Sequence, residues 1–286
     1  MRRRTFLGLM GTAAVLPGEN WSHAMKPLEE KTYSSGQPSE TEDATSFARL
    51  TKELDIFGFT TVPNLIPRAE AEAAGNRVVE IMKKRPNVSD ADQHVSNFFD
   101  LLDPSDYPLF AKLVSHPLCI KVAEHVLGPG LQLTEPGARW MKPGASASPM
   151  HVGIPVNNFE GWGLQPPTNT FTVAFSWMLN DLTADMAPTS YLPCSHWVRG
   201  FPGPESGRQY AIPVAAPAGS VVLYHNTIWH GFAANTSKSN ARVGFMGGYC
   251  ASWIDPVGAG YHLMQKRVYD GMPPAVQALN KRTAGQ

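Results

Sequence analysis

Two of the nine histidines and one arginine stand out by their positions in the sequence. His151 follows a strand-like run, and His230 lies at the end of the strand predicted to start near residue 220. Arg242 follows twelve residues after His230 and opens the next predicted strand. Two imidazoles that are distant in sequence can meet inside a β-barrel and bind a transition metal, and an arginine can bind a carboxylate with two parallel hydrogen bonds. These residues therefore predict a metal site that takes an acidic co-substrate.

The segments around these residues predict a β-rich fold with helices on its outside. Apolar residues at helical spacing predict helices over residues 47–57, 68–84 and 109–127, the last interrupted near Pro117. Gly58 ends the first helix, and a short strand is predicted at residues 59–62. Further strand-like runs cover residues 132–134, 139–142, 170–179, 209–212, 220–225 and 242–249. The expected architecture is a barrel or sandwich with flanking helices.

Composition excludes several classes of protein. The 286 residues include 24 Lys+Arg and 24 Asp+Glu, and the resulting net charge of zero gives no indication of nucleic-acid binding. Three cysteines cannot form a disulfide framework. No apolar run is long enough to predict stable membrane insertion. The expected partner is a small-molecule substrate, and the sequence leaves the oligomeric state open.

The N-terminal segment has the pattern of an export signal. Three arginines at positions 2–4 precede a short apolar run, and small residues end in Ala24. The stretch Arg3-Arg4-Thr5-Phe6-Leu7 is typical of a twin-arginine signal, so residues 1–24 are predicted to direct export to the periplasm or the medium. A cytoplasmic location is the alternative. Residues 25–45 are polar and are predicted to be a linker before the folded domain, residues 46–280.

Several short motifs occur in a characteristic order along that domain. They are the segment 57–66, the helix-forming stretch from His116-Pro117 to Gly128-Pro129, Trp177-Met178-Leu179-Asn180-Asp181, Pro193-Cys194-Ser195-His196, and Trp229-His230-Gly231 with Asn235-Thr236 and Arg242. In this order and spacing the chain resembles the phytanoyl-CoA dioxygenase family of non-haem Fe(II)/2-oxoglutarate-dependent oxygenases. The resemblance implies a mainly β fold with flanking helices, the double-stranded β-helix or cupin-like jelly roll.

The resemblance also implies a role for each matching residue. His151 and His230 would be ligands of Fe(II), and Arg242 would bind the distal carboxylate of 2-oxoglutarate. Asn235 and Thr236 would hydrogen-bond near this co-substrate. The activity implied is the oxidation of an unactivated C–H bond of a small molecule with O₂ and 2-oxoglutarate.

Gly153 departs from the family pattern at the most informative position. The family has a ligand Asp two residues after the first His, and this chain has no side chain there. Radical halogenases of the wider superfamily have Gly or Ala at this position, where chloride takes the place of the carboxylate. The alternatives are hydroxylation with water in that place, a carboxylate supplied by Glu160 or Asp181, or a catalytically impaired relative that only binds a small molecule.

Four further expectations concern residues around this site. His225 is a second imidazole near His230 and is predicted to pack in the barrel. Five aromatic residues are candidates for lining a substrate cavity, although core packing is the expected role for most: Trp140, Trp162, Phe175, Trp177 and Trp229. The loop at residues 157–169 is predicted to be a mobile cover over the site. The turn at residues 185–189 and Cys194 replace glycine-containing turns of the family, so a Cβ atom is expected to strain the backbone there.

Overall fold

A computed structural model describes residues 45–85, 90–153, 156–167, 169–254 and 264–280. The predicted export signal and all of the predicted linker except Thr45 lie outside these residues. The described elements belong to one unit, Gln37–Gln286. Within the described ranges, no helix combines the length and the apolar character that a membrane crossing requires.

Two antiparallel sheets form the centre of the fold. The larger sheet has six strands in the order β1-β7-β4-β9-β3-β2, and the smaller has three in the order β6-β5-β8. The strands are β1 (Phe59–Val62), β2 (Asp92–Val95), β3 (Gln132–Met141), β4 (Thr172–Met178), β5 (Thr189–Tyr191), β6 (Ile212–Pro213), β7 (Val221–His225), β8 (His230–Phe232) and β9 (Arg242–Cys250). This antiparallel, mainly β arrangement with flanking helices confirms the predicted fold class.

Helices lie before the sheets and at the end of the described chain. They are α1 (Phe47–Phe57), α2 (Arg68–Lys83), α3 (Tyr107–Val114), α4 (Pro117–Leu127), α5 (Val156–Gly161), α6 (Lys266–Gly271) and α7 (Pro274–Ala278). The first ends as predicted at Gly58, which has φ +86° and donates its N–H to the Leu54 carbonyl at 3.0 Å. The predicted interruption near Pro117 separates α3 from α4, because proline is favoured in the first turn of a helix.

Alternation along the strands divides the large sheet into two chemically different faces. Val173, Phe175 and Trp177 of β4 belong to the core cluster that includes the buried residues of α1, α2 and α4. Met178 and Val222 pack instead with Tyr191 of the small sheet. Since successive side chains of a strand point to opposite faces, the helices cover one face of the large sheet and the small sheet covers the other.

Three sequence-based boundaries were wrong for identifiable reasons. The two strands predicted at residues 132–134 and 139–142 form one strand, β3, which ends at Met141 and has an irregularity in its pairing between Thr134 and Gly137. The strand run predicted at residues 220–225 matches β7, but His230 lies in the separate strand β8 and not at the end of β7. The Ile228 N–H donates to the His225 carbonyl at 3.0 Å and closes a turn between the two strands. This turn carries the chain from the large sheet into the small one. Residues 208–210 form a 3-10 turn before β6.

Candidate metal centre

His151 and His230 are brought together between segments that lie far apart in the sequence. His230 opens β8, and each histidine donates its backbone N–H to the carbonyl of the other at 2.9 Å. Their ring centroids are 4.3 Å apart. Two imidazoles at this separation can direct one nitrogen each toward a shared ion.

The hydrogen bonds of both rings leave the same nitrogen available. Nδ1 of His151 donates to the Pro149 carbonyl and Nδ1 of His230 to the Ile228 carbonyl, each at 2.9 Å. A carbonyl only accepts, so the proton lies on Nδ1 and the lone pair on Nε2. Backbone carbonyls commonly fix metal-binding histidines in this way. In the described part of the chain, neither Nε2 has a hydrogen-bond partner.

Burial keeps both imidazoles in the neutral form that a metal requires. His230 is almost fully buried, and burial, together with the charge of His151, lowers the pKa of His230 to about 3. Burial likewise lowers the pKa of His151. The pair is therefore neutral across the physiological range, and protons do not compete with a metal for Nε2.

Arg242 is a buried cation with few partners. It opens β9, as predicted, and donates to the Ala187 carbonyl at 2.6 Å and to Thr189 Oγ1 at 2.9 Å. No carboxylate among the described residues forms an ion pair with it, and burial lowers its pKa to about 10. A buried charge without a counterion is costly, so this guanidinium is suited to an anionic ligand.

Two tyrosines beside His230 and Arg242 were not predicted from the sequence. Their ring centroids lie 5.9 Å (Tyr191) and 5.2 Å (Tyr224) from the His230 ring, and 5.0 Å from each other. Burial raises the pKa of Tyr224 to about 12 and that of Tyr191 well above its usual value, so both remain neutral phenols. No sequence signal placed them, because β5 has only three residues and β7 is a continuous apolar run.

The two carboxylates considered as replacements for the missing Asp are located elsewhere. Asp181 pairs with Arg68 at 2.8 Å and accepts the Ala218 N–H at 2.9 Å, with about half of its side chain exposed. Glu160 is exposed on α5. No set of three His, Cys, Asp or Glu side chains suited to a metal occurs within the described ranges. Within these ranges, His151 and His230 are therefore the candidate metal ligands.

Asn235 and Thr236 lie in the loop between β8 and Arg242, and their role near the co-substrate stays a prediction. The Asn235 amide donates to the carbonyls of Met141 and Asn240, and its oxygen accepts from the N–H and hydroxyl of Ser237. Thr236 is exposed and donates its N–H to the Asp185 carbonyl at 2.8 Å. The Asn235 bonds use every hydrogen-bonding group of the amide, so this residue stabilises the loop before Arg242.

His225 belongs to a second, separate histidine pair. Its ring centroid is 4.7 Å from that of His196, and burial lowers the pKa of His225 to about 3. This agrees with the packing role predicted for it. Of the candidate cavity residues, Phe175 and Trp177 are fully buried in the core and Trp162 is 59 % exposed. Trp229 packs in a cluster with Val152 and Phe171 next to His151.

The two turns in which this chain lacks the glycine of the family adopt the strained backbone conformation that was expected. Ala187 has φ +59° and Cys194 has φ +65°, both in the left-handed region. This conformation costs an L-residue with a side chain about 1–2 kcal/mol. The carbonyl of Ala187 accepts the Arg242 hydrogen bond, so the strained turn positions a partner of the buried guanidinium.

Sequence comparison identifies the family. The family model described as phytanoyl-CoA dioxygenase matches residues 41–244. Dioxygenase af480 of Aspergillus fumigatus is 22% identical over 273 residues, which cover 90% of this chain and 85% of the relative.

Two solved structures share the fold of this chain. The non-haem alpha-ketoglutarate-dependent carbocyclase SnoK from nogalamycin biosynthesis is 19% identical with a TM-score of 0.57, covering 76% of this chain and 88% of that one. HygX from Streptomyces hygroscopicus, solved with nickel, 2-oxoglutarate and hygromycin B, is 15% identical with a TM-score of 0.57, covering 73% and 88%. The family model spans well over half of the 286 residues, and the chain belongs to the phytanoyl-CoA dioxygenase family of enzymes.

Proposed function

We propose that the protein is an Fe(II)/2-oxoglutarate-dependent oxygenase that oxidises an unactivated C–H bond of a small molecule. One observation carries the proposal: two adjacent neutral imidazoles, each with Nε2 available, lie in a site that also contains a buried arginine without a carboxylate partner in the described chain. When bound, Fe(II) and 2-oxoglutarate supply the activation of O₂.

The residues of the chain have distinct roles in this proposal. His151 and His230 hold Fe(II) through Nε2, and their Nδ1–H bonds to backbone carbonyls fix the ring orientation. Arg242 binds the distal carboxylate of 2-oxoglutarate and neutralises its charge in the buried site. Among proteins of similar structure, the epimerase SnoN was solved with Fe³⁺ and alpha ketoglutarate, and HygX with nickel and 2-oxoglutarate.

The substrate binds on the apolar side of the centre. Val152 adjoins His151, and it clusters with Phe171 and Trp229 and with the partly buried Phe159 of α5. The partly buried aromatic members of this cluster, Phe159 and Trp229, favour a compound with a large apolar part. SnoN and HygX were solved with nogalamycin RO and with hygromycin B, so the fold accommodates natural products of this size. The predicted mobility of residues 157–169 over this surface stays a prediction.

With Gly153 in place of the ligand Asp, the proposed reaction is either hydroxylation or radical halogenation. Hydroxylation converts R–H, O₂ and 2-oxoglutarate to R–OH, succinate and CO₂. Halogenation additionally consumes chloride and a proton and releases water. A catalytically impaired relative that binds a small molecule without turnover is the alternative function.

An anaerobic titration of the full chain with Fe(II) and 2-oxoglutarate tests the proposal. We expect a visible charge-transfer band that requires both components and is lost in His151→Ala and Arg242→Met. A band that shifts with chloride would favour halogenation, and one that ignores chloride would favour hydroxylation. If the wild type gives no band, the oxygenase proposal is overturned and the binding-protein alternative stands.

We also propose that residues 1–24 direct export, with a cytoplasmic location as the alternative. The support is the arginine pair followed by a short apolar run and small residues. Cell fractionation should find the protein outside the cytoplasm, and the double substitution Arg3→Lys and Arg4→Lys should retain it inside. Equal cytoplasmic retention of both forms would refute export.

A further inference from the structure

Asn226 fills the space beside Gly153. A Cβ atom added to Gly153 would overlap Oδ1 of Asn226 and would lie 2.5 Å from its Cγ and 3.1 Å from its Nδ2. Gly153 is not among the residues with positive φ, so its backbone conformation does not require glycine. A side chain at position 153 would therefore require the Asn226 amide to shift from the place that it occupies.

The backbone of Asn226 is fixed at this place. Its carbonyl accepts the Gly153 N–H at 2.8 Å, and its own N–H donates to the Thr172 carbonyl at 3.1 Å. Asn226 is 3% exposed and lies within the turn that links β7 to β8. The amide therefore reaches Gly153 from an anchored segment and not as a mobile surface side chain.

The same two segments carry the histidine pair. Gly153 lies two residues after His151, and Asn226 lies four residues before His230. Reciprocal backbone hydrogen bonds join His151 to His230, and a further one joins Gly153 to Asn226. Asn226 therefore lies in one of the two paired segments that carry the histidines. Its side chain is on the side toward which a carboxylate at position 153 would extend.

We propose that Asn226 is a specificity-determining residue that excludes a halide from the place left by Gly153. This inference rests on the proposed function and selects between its two product classes. The amide is neutral and fills the opening, so the halogenase-like glycine does not create a halide site. The substrate is then hydroxylated: R–H, O₂ and 2-oxoglutarate give R–OH, succinate and CO₂, and no chloride is consumed.

The first test uses the stability of the metal-free protein to detect the steric overlap between a side chain at position 153 and Asn226. Gly153→Ala should lower the urea midpoint of the metal-free protein in the wild-type background, because its Cβ overlaps the amide. The same substitution in the Asn226→Ala background should lower the midpoint much less. Gly200→Ala is the matched control, since a Cβ there meets no atom within 4 Å and should leave the midpoint unchanged. Equal losses from Gly153→Ala in both backgrounds would overturn the steric complementarity.

The second test measures anion access to a bound metal. The full chain is loaded with Co(II) and titrated with chloride and with azide, following the visible absorption of the metal. We expect Asn226→Ala to bind azide about tenfold more tightly than the wild type, in the range of effects typical of residues around metal ligands. Asn280→Ala controls for the loss of a buried asparagine amide, here one that donates to the Val276 carbonyl.

The outcomes separate this inference from the proposed function. Equal azide affinity in the wild type and in Asn226→Ala would overturn the role of Asn226 while leaving the metal centre intact. A wild-type spectrum that already responds to chloride would do the same and would favour halogenation. Failure of the wild type to bind Co(II) at a site sensitive to His151→Ala would overturn the proposed function, and the inference with it.

Discussion

Replacing Arg242 by methionine should separate the binding role of this residue from its effect on stability. Burial lowers the pKa of Arg242 from 12.5 to about 10, which corresponds to a cost of about 3 kcal/mol for keeping the charge in the fold. This cost is fully present at any pH below about 10 and disappears as the pH rises toward 12.5. Methionine removes it and retains an apolar side chain of similar length.

The hydrogen bonds that are lost offset most of this gain. Arg242 donates to the Ala187 carbonyl and to Thr189 Oγ1, and each bond contributes about 1 kcal/mol net. We therefore expect metal-free Arg242→Met to be about as stable as the wild type, or more stable by about 1 kcal/mol. Arg139→Met is the contrasting control, because Arg139 forms a two-point ion pair with Asp92 at 2.7 and 2.8 Å and its loss leaves that carboxylate unpaired. It should lower stability by about 1–3 kcal/mol.

Binding of 2-oxoglutarate should change in the opposite direction. Two charge-assisted hydrogen bonds to a carboxylate contribute together about 3 kcal/mol at the lower end of their range. Arg242→Met should therefore weaken 2-oxoglutarate binding about 100-fold. Urea unfolding of the metal-free protein and calorimetric titration of the Ni(II)-loaded protein measure the two effects. Unchanged affinity for 2-oxoglutarate, or a loss of metal-free stability as large as that of Arg139→Met, would refute the reasoning.

Three other predictions follow from the same structure. His151→Ala and His230→Ala should each weaken Ni(II) binding at least about tenfold, measured by calorimetry. If neither substitution changes the Ni(II) affinity, the two histidines are not the metal ligands. Cys194→Gly should raise the free energy of unfolding by about 0.5–1 kcal/mol by relieving the positive φ, whereas Cys194→Ala, which keeps the Cβ, should not. Because burial lowers the pKa of His225 to about 3, stability should fall as the pH decreases from about 6.5 toward 3, by at most about 1.4 kcal/mol per pH unit for this residue. His225→Gln should flatten that decline in urea unfolding at several pH values, and an identical decline would contradict the assignment.

Local sequence signals predicted most of the large sheet and the first helices. The alternation of large apolar residues in β4, the continuous apolar run in β7 and the end of α1 at Gly58 are properties of short segments, and they predicted these elements correctly. The three-residue strands β5 and β8 were missed because such short runs have no usable periodicity. They pair only when the chain brings them together.

The sequence by itself determined the family of the chain and the candidate residues of its site. The order of His151, His230 and Arg242, and the glycine at position 153, are properties of residue type and spacing, so the linear sequence is enough to recognise them. The tertiary structure decided what surrounds them. It places Asn226 in the space beside Gly153, pairs Asp181 with Arg68, and fixes Asn235 in a loop. These facts depend on which distant segments compete for the same volume and the same hydrogen bonds, and no local pattern of residues encodes that competition.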